Sequence, residues 1–345
     1  MSDTIRTPYG RHSVDVLGSV PDVAWPPTYY GRPALKASEW RWLIATYFFV
    51  GGLAGAAQVI ASIVDLLDHP RDRLLVSAGR YVALAGALIS PPLLILDLKT
   101  RSRWYNMLRV FRPTSPMSIG SWTLLTFGTS TGLAALGQLG SDLFGLRSGR
   151  TLARLAGLPA AVSGALLATY TGSLLAATST PLWAVAYRSL PAMFGASATA
   201  TATALLTLIL HCLPDTEPSV RRLERLALMA SISELVFNAK VDAQWQRERV
   251  RSPLEKPAAG ATYRLGVLGL GIITPLLVHS LQALTGREMR TASVLASAAA
   301  LAGGYLQRGV LLMAGKQSAE HPQEYFRIAQ QWLVRELAHG RTIRL

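Results

Sequence analysis

Charge is scarce in this chain: only 16% of its 345 residues are Asp, Glu, Lys or Arg, where a water-soluble domain carries about 25%. Cysteine is nearly missing. Cys212 is the single thiol, which excludes an intrachain disulfide and an internal iron–sulfur cluster, since a cluster needs about four thiolates. Histidine is sparse as well, with six residues. A bis-histidine haem needs two histidines facing each other inside the apolar stretches; His211 and His279 alone lie there, both near one end, so no haem is expected. There is no zinc-ligand spacing, no phosphate-binding loop and no nucleophile elbow, so neither a metal site nor a catalytic centre of the water-soluble kind is expected. The first 38 residues are polar and carry Pro21, Pro26, Pro27 and Pro33, so the first apolar run reads as a retained helix rather than a secretory leader.

Hydrophobic residues make up half of the sequence, and the mean hydropathy is +0.29. The formal net charge of +14 does not point to nucleic acid. Its basic residues sit in short clusters between apolar runs of about 20 residues, long enough to cross a bilayer core of about 30 Å. Eight such runs are read, at 42–66, 77–96, 119–139, 155–177, 191–213, 221–237, 263–284 and 291–313. In lipid the backbone must satisfy its own hydrogen bonds, so these are helices. The expected fold is an all-α integral membrane protein with about eight transmembrane helices. The sixth run is the most interrupted, by Arg221, Arg222, Glu224, Arg225 and Glu234.

An even number of spans puts both termini on one face, side A, together with the connections after the second, fourth and sixth helices. Side A carries about twice as many Lys and Arg as side B, which by the positive-inside rule makes it cytoplasmic. The expected location is the inner (cytoplasmic) membrane of a bacterial cell. The 240–262 connection is long, charged and holds Pro253 and Pro257, and reads as an exposed loop. Residues 321–337 are amphipathic and suit the membrane surface or a partner.

One region departs from ordinary span composition, DLKTRSRWYNMLRVFRPTSPMSIGSW at 97–122. It couples Asp97, at the end of the second helix, to Arg101 and Arg109, and then to a turn with Ser115, Pro116 and Ser118 that opens the third helix before Trp122. Free backbone donors at such a helix start suit an anion or polar head group; a plain ion pair between Asp97 and an arginine is the alternative. The fourth helix ends in Thr169-Tyr170-Thr171-Gly172, and the first begins with Trp40 and carries Tyr47. Alternating helix direction brings all these ends to side A. Hydroxyls, an acid and aromatic walls at one bilayer face fit quinone chemistry, in which two ring oxygens need hydrogen-bond partners and two protons need an acceptor. Tyr170 and Tyr47 are the candidate hydroxyl donors, and Asp97 the candidate proton acceptor. Ionisable groups inside spans are functional candidates by default; Glu234 and Asp65 are the candidates for a proton path, with buried pairing as the alternative.

Three separated segments, WRWLIATYFFVGGLAGA at 40–56, the 97–122 turn, and YTG followed by TPLW in 170–183, resemble the NrfD/PsrC family of membrane subunits of polysulfide, nitrite and related reductases. The resemblance implies two four-helix bundles. The chain then divides into an extramembrane arm (1–38), a first bundle with the quinol site (39–190), a second bundle (191–315) and an amphipathic tail (316–345). It also implies menaquinone or ubiquinone as the bound quinone, no haem, a ferredoxin-like iron–sulfur partner subunit, and a catalytic reductase or dehydrogenase subunit. Tyr170 matches the family's pocket tyrosine on helix four. Tyr47 stands where the family has a histidine on helix one, Ile44 where it has an asparagine, and Asp97 where it has a glutamate. The family places the pocket face and partners on the outer side, opposite to the charge count. The expected function is thus a quinol-interacting membrane anchor that exchanges electrons with an iron–sulfur partner; a proton- or solute-translocating module without quinone and a purely structural anchor are the rivals.

Overall fold

The computed structural model describes residues 4–7, 10–13, 35–287, 289–321, 324–326 and 328–329. Eight long helical segments account for most of it: α1 (Trp42–Leu67), α2 (Arg73–Asp97), α3 (Pro116–Phe144), α4 (Arg147–Ala176), α5 (Leu190–His211), α6 (Glu217–Arg247), α7 (Pro257–Thr285) and α8 (Arg290–Ala319). Each holds one of the eight apolar runs. Length and apolarity sufficient to cross a membrane are met, among the described residues, by α1, α2 with its preceding turn, α4, α5 and α7. The other three are diluted: α6 by its charged residues, α3 by Gly, Ser and Thr, and α8 by Gly, Ser, Gln307 and Arg308.

Two local features complete the chain outside these helices, and the second departs from expectation. In the arm, β1 (Thr4–Thr7) pairs antiparallel with β2 (Gly10–Ser13), Thr4 opposite Ser13. The 240–262 connection is not an exposed loop. α6 runs on to Arg247, a short helix follows at Ser252–Glu255, and α7 begins at Pro257. Val241 and Trp245, four residues apart, share one helical face and are fully buried, with Val250 and Leu254 beside them. The charged residues of that stretch occupy the other face, which is why composition alone read as a loop. The tail expected at 321–337 lies in large part outside the described residues.

Helices α1 to α4 pack as a closed ring of neighbours, α1 on α2, α2 on α3, α3 on α4 and α4 on α1. Helices α5 to α8 do the same, and α1, α4, α5 and α8 meet between the rings. Small residues set the spacing, as they do where lipid removes the hydrophobic drive for helix association. A Cβ on Gly55 of α1 would run into the Gly164 backbone of α4, and one on Gly271 of α7 into Gly303 of α8. α7 carries a wide π-helical stretch, Thr262–Ile273, on the side that meets α8.

Candidate functional site

The turn into α3 is built by its serines. Ser115 caps the helix, accepting from the Ser118 amide at 3.4 Å, and Pro116 occupies the first helical position, where a missing N–H costs nothing. Ser118 Oγ accepts from the Arg112 amide at 2.9 Å and donates to the Val110 carbonyl at 3.3 Å, closing the loop before the helix. Tyr170 of α4 reaches across and donates from Oη to the Pro116 carbonyl at 2.5 Å. Its ring covers Gly120, where a Cβ would collide with it. A tyrosine here therefore requires glycine one turn into α3.

Tyr47 of α1 is 3% exposed and close enough to Tyr170 for the two hydroxyls to interact electrostatically. Around Gly51, one turn further along α1, three helices converge. A Cβ there would meet Ser90 Oγ of α2 and the Tyr47 ring at 3.6 Å, and Leu167 of α4 at 3.7 Å. Ser90 and Thr171 are fully buried, and their hydroxyls have no hydrogen-bond partner among the described residues. The indole N–H of Trp122, edge-on to Phe111, is also buried without a partner. Buried polar groups are rarely left unpaired, so this concentration of free hydroxyl and N–H groups beside two tyrosines is what marks the region. Sequence reading missed Ser90. The signal for Ser90 was its place before Pro91 and Pro92, a hydroxyl inside an otherwise apolar span.

Asp97 lies apart from the tyrosines. It makes no ion pair or side-chain hydrogen bond among the described residues, and it opens on a cavity of about 450 Å³ lined also by Glu39, Arg41, Leu43, Leu96, Leu98, Lys99 and Arg101. Leu43 is one turn before Tyr47 on α1, so the cavity lies over the side-A end of the tyrosine region. Glu39 is clamped by Lys99 at 2.6 Å and by Lys36 at 3.0 Å. Hydrogen bonds from Lys99 first, and Lys36 second, pull its carboxyl down from its ordinary value to about 2.

The remaining expected residues are placed elsewhere. Trp40 stacks on Trp183 with ring centroids 5.8 Å apart. Gly172 lets α4 approach the Leu190–Pro191 backbone at the start of α5. Arg101 lines the Asp97 cavity, whereas Arg109 is exposed, and the turn is held by Ser115 and Ser118 rather than by it. Near side B, Asp65 accepts from Arg80 at 2.9 Å and from Arg154 at 3.2 Å, and Arg80 also donates to Gln138. Glu234 is buried in α6 beside Ser197, Gln307 and Arg308. The arginine was missed, although an Arg inside the last apolar run is itself a signal. His279 hydrogen-bonds Gln282, three residues on, at 3.2 Å.

Comparison with curated proteins returns no match. The family model described as "Polysulphide reductase, NrfD" matches residues 35–319, through all eight long helices, and the chain therefore belongs to the NrfD family of multi-pass membrane proteins.

Proposed function

We propose that the chain is the quinone-reacting membrane subunit of a multisubunit oxidoreductase, with its site at the side-A ends of α1 to α4. The observation that carries this reading is the meeting of Tyr47 and Ser90 at Gly51 beside Tyr170, with the buried hydroxyls of Ser90 and Thr171 left without a hydrogen-bond partner among the described residues. A menaquinol or ubiquinol ring needs two such hydrogen-bond partners and a dry surround. When bound, quinol supplies two electrons and two protons. Tyr47, Ser90 and Thr171 hold and orient the ring oxygens. Tyr170 has its proton committed to the Pro116 carbonyl and faces the site as an acceptor. Asp97, without an ion-pair partner among the described residues and open to the side-A cavity, accepts a released proton and passes it to water.

The chain's cysteine and histidine content supplies no redox centre, so the electrons pass to a ferredoxin-like iron–sulfur subunit bound to a catalytic reductase or dehydrogenase subunit. The exposed arginines 101, 103, 109 and 112, interleaved with exposed Trp104, Tyr105 and Phe111, form a docking face beside the site. All eight long helices span the inner membrane as two four-helix bundles in this reading, which the closed packing of α1–α4 and of α5–α8 supports.

The test is quinol-dependent electron transfer in the purified complex, at matched subunit assembly. Tyr170→Phe and Ser90→Ala are each expected to lower the rate by about tenfold or more, since lost positioning of a reacting group costs on that scale. Unchanged rates in both, with assembly intact, reduce the chain to a structural anchor; a solute flux that persists without partner subunits favours a transporter.

A further inference from the structure

Acidic groups in and beside the described helices are mostly matched by basic ones. Asp65 has Arg80 and Arg154, and Asp72 has Arg222 and Ser219. Glu234 differs. It is 3% exposed, near the middle of α6, and makes no direct ion pair among the described residues, although Arg308 of α8 stands in the same cluster at 1% exposure. Arg308 spends its hydrogens on neutral groups: Ser197 Oγ, the Gly304 carbonyl at 3.0 Å, Gln307 Oε1 at 2.8 Å and the Phe194 carbonyl at 3.4 Å. Its guanidinium also lies over the Phe194 ring, 5.1 Å from the centroid, and its Nε has no partner. The same neutral Ser197 and Gln307 stand near Glu234. Direct contact is what offsets the desolvation of a buried structural pair. Here the two groups share a shell of neutral hydrogen-bonding side chains without touching, an arrangement that leaves the carboxyl free to exchange a proton.

Further polar groups lie on either side of this cluster. Toward side A, Asn238 is one turn on; its amide donates to the Glu234 carbonyl at 2.8 Å, and its Oδ1 accepts from Gln307 at 3.3 Å and from Tyr263 at 3.5 Å. Asp242 is a further turn on, paired with Arg251 at 3.2 Å. Toward side B, Ser297 of α8 is buried with an unpartnered hydroxyl, and one turn away Ser293 donates to Glu224 Oε1 at 2.6 Å. Gln282 of α7 donates to the same oxygen at 3.1 Å. Glu224 borders two side-B cavities, one of about 180 Å³ and one of about 260 Å³. From Glu224 to Asp242 the helix rises about 27 Å, close to the thickness of a bilayer core, about 30 Å.

We propose that Glu234 is the midway proton-carrying group of a path through α5 to α8, entered from side B at Glu224 and left toward side A past Asn238 and Asp242. A proton relayed by Ser293 and Ser297 adds to the Glu234 carboxylate and makes a carboxylic acid; its loss toward Asn238 restores the carboxylate. No electron moves and no bond to carbon changes, and a pH gradient or membrane potential supplies the drive. The fixed charge of Arg308 beside a lone carboxylate excludes a metal cation, so the carried species is H⁺. This path shares no residue with the tyrosine region and stands independently of the quinone reading.

The full chain reconstituted in lipid vesicles, with a potassium diffusion potential imposed by valinomycin and a pH dye inside, provides the test. Proton entry in the native chain is expected to exceed that in Glu234→Gln by about tenfold, as befits removal of an obligatory intramembrane carrier. Glu234→Asp should restore it, and Glu224→Gln should fall between. A hydrophobic carbodiimide, which adds only to a protonated carboxyl, should modify Glu234 in the native chain and abolish the flux. Equal flux in the native and Glu234→Gln chains overturns the proposal. Absence of a Glu234 adduct in the native chain overturns it too, whether or not the Gln variant assembles.

Discussion

The two halves of the molecule bury charge in opposite ways. In the first, Asp65 is gripped by Arg80 at 2.9 Å and Arg154 at 3.2 Å, near side B. In the second, Glu234 and Arg308 are as deeply buried, yet no ion pair joins them among the described residues, and Arg308 donates instead to Ser197 and Gln307. Pairing turns a buried charge into a fixed strut, whereas separation by neutral groups leaves it responsive to a proton. The same residue types thus form a direct ion pair in one half and none in the other, and the geometry alone tells them apart.

The largest expected effect breaks the strut. Asp65→Asn should destabilise the chain by about 3–5 kcal/mol, since it strands the buried Arg80 charge. Glu234→Gln should change stability by less than about 1 kcal/mol, because it keeps hydrogen-bonding capacity and removes no direct pair. Thermal unfolding of both variants in one detergent makes this comparison, and a Glu234→Gln loss as large as that of Asp65→Asn would erase the distinction. A double-mutant cycle sharpens it. Asp65 with Arg80 should couple near the top of the usual range, about 3 kcal/mol, and Glu234 with Arg308 near its lower end, about 0.5 kcal/mol.

A smaller effect is expected at Ser62. It accepts from Gln58 at 2.9 Å and donates to the Gly157 carbonyl at 3.0 Å, tying α1 to α4 below the tyrosine region. Ser62→Ala should cost about 1–2 kcal/mol by the same unfolding assay and leave vesicle proton entry unchanged. The smallest effect concerns the exposed Glu39 clamp. Its carboxyl is held down at about 2 by Lys99 and Lys36 against an ordinary value of 4.5, so the clamp's contribution is complete above 4.5 and is lost as the pH falls toward 2. Protease nicking of the arm should rise over that interval and at high salt, which screens surface pairs.

Much of this was readable beforehand. Each of the eight apolar runs lies on a long helix, because the bilayer forces apolar backbone into helices whatever the neighbours are. The Ser115-Pro116 turn followed from capping chemistry that acts within four residues. Alternating helix direction placed Tyr47 and Tyr170 at one face before any contact was known. The charged stretch at 240–262 misled, because its helicity is stabilised by burying Val241 and Trp245 against other elements. Ser90, Ser197 and Gln307 are unremarkable residues in a list of spans; what makes them candidates is which helix each faces.

Hydropathy, capping and helix period are properties of short stretches, and they sufficed for a multi-pass helical protein with a polar turn at 97–122. Whether a buried acid is paired or left apart depends on which helices stand side by side and at what distance. That choice was made by packing, through contacts such as Gly55 on Gly164 and Gly271 on Gly303, where the lack of a side chain lets backbones meet and brings residues far apart in the chain into one cluster.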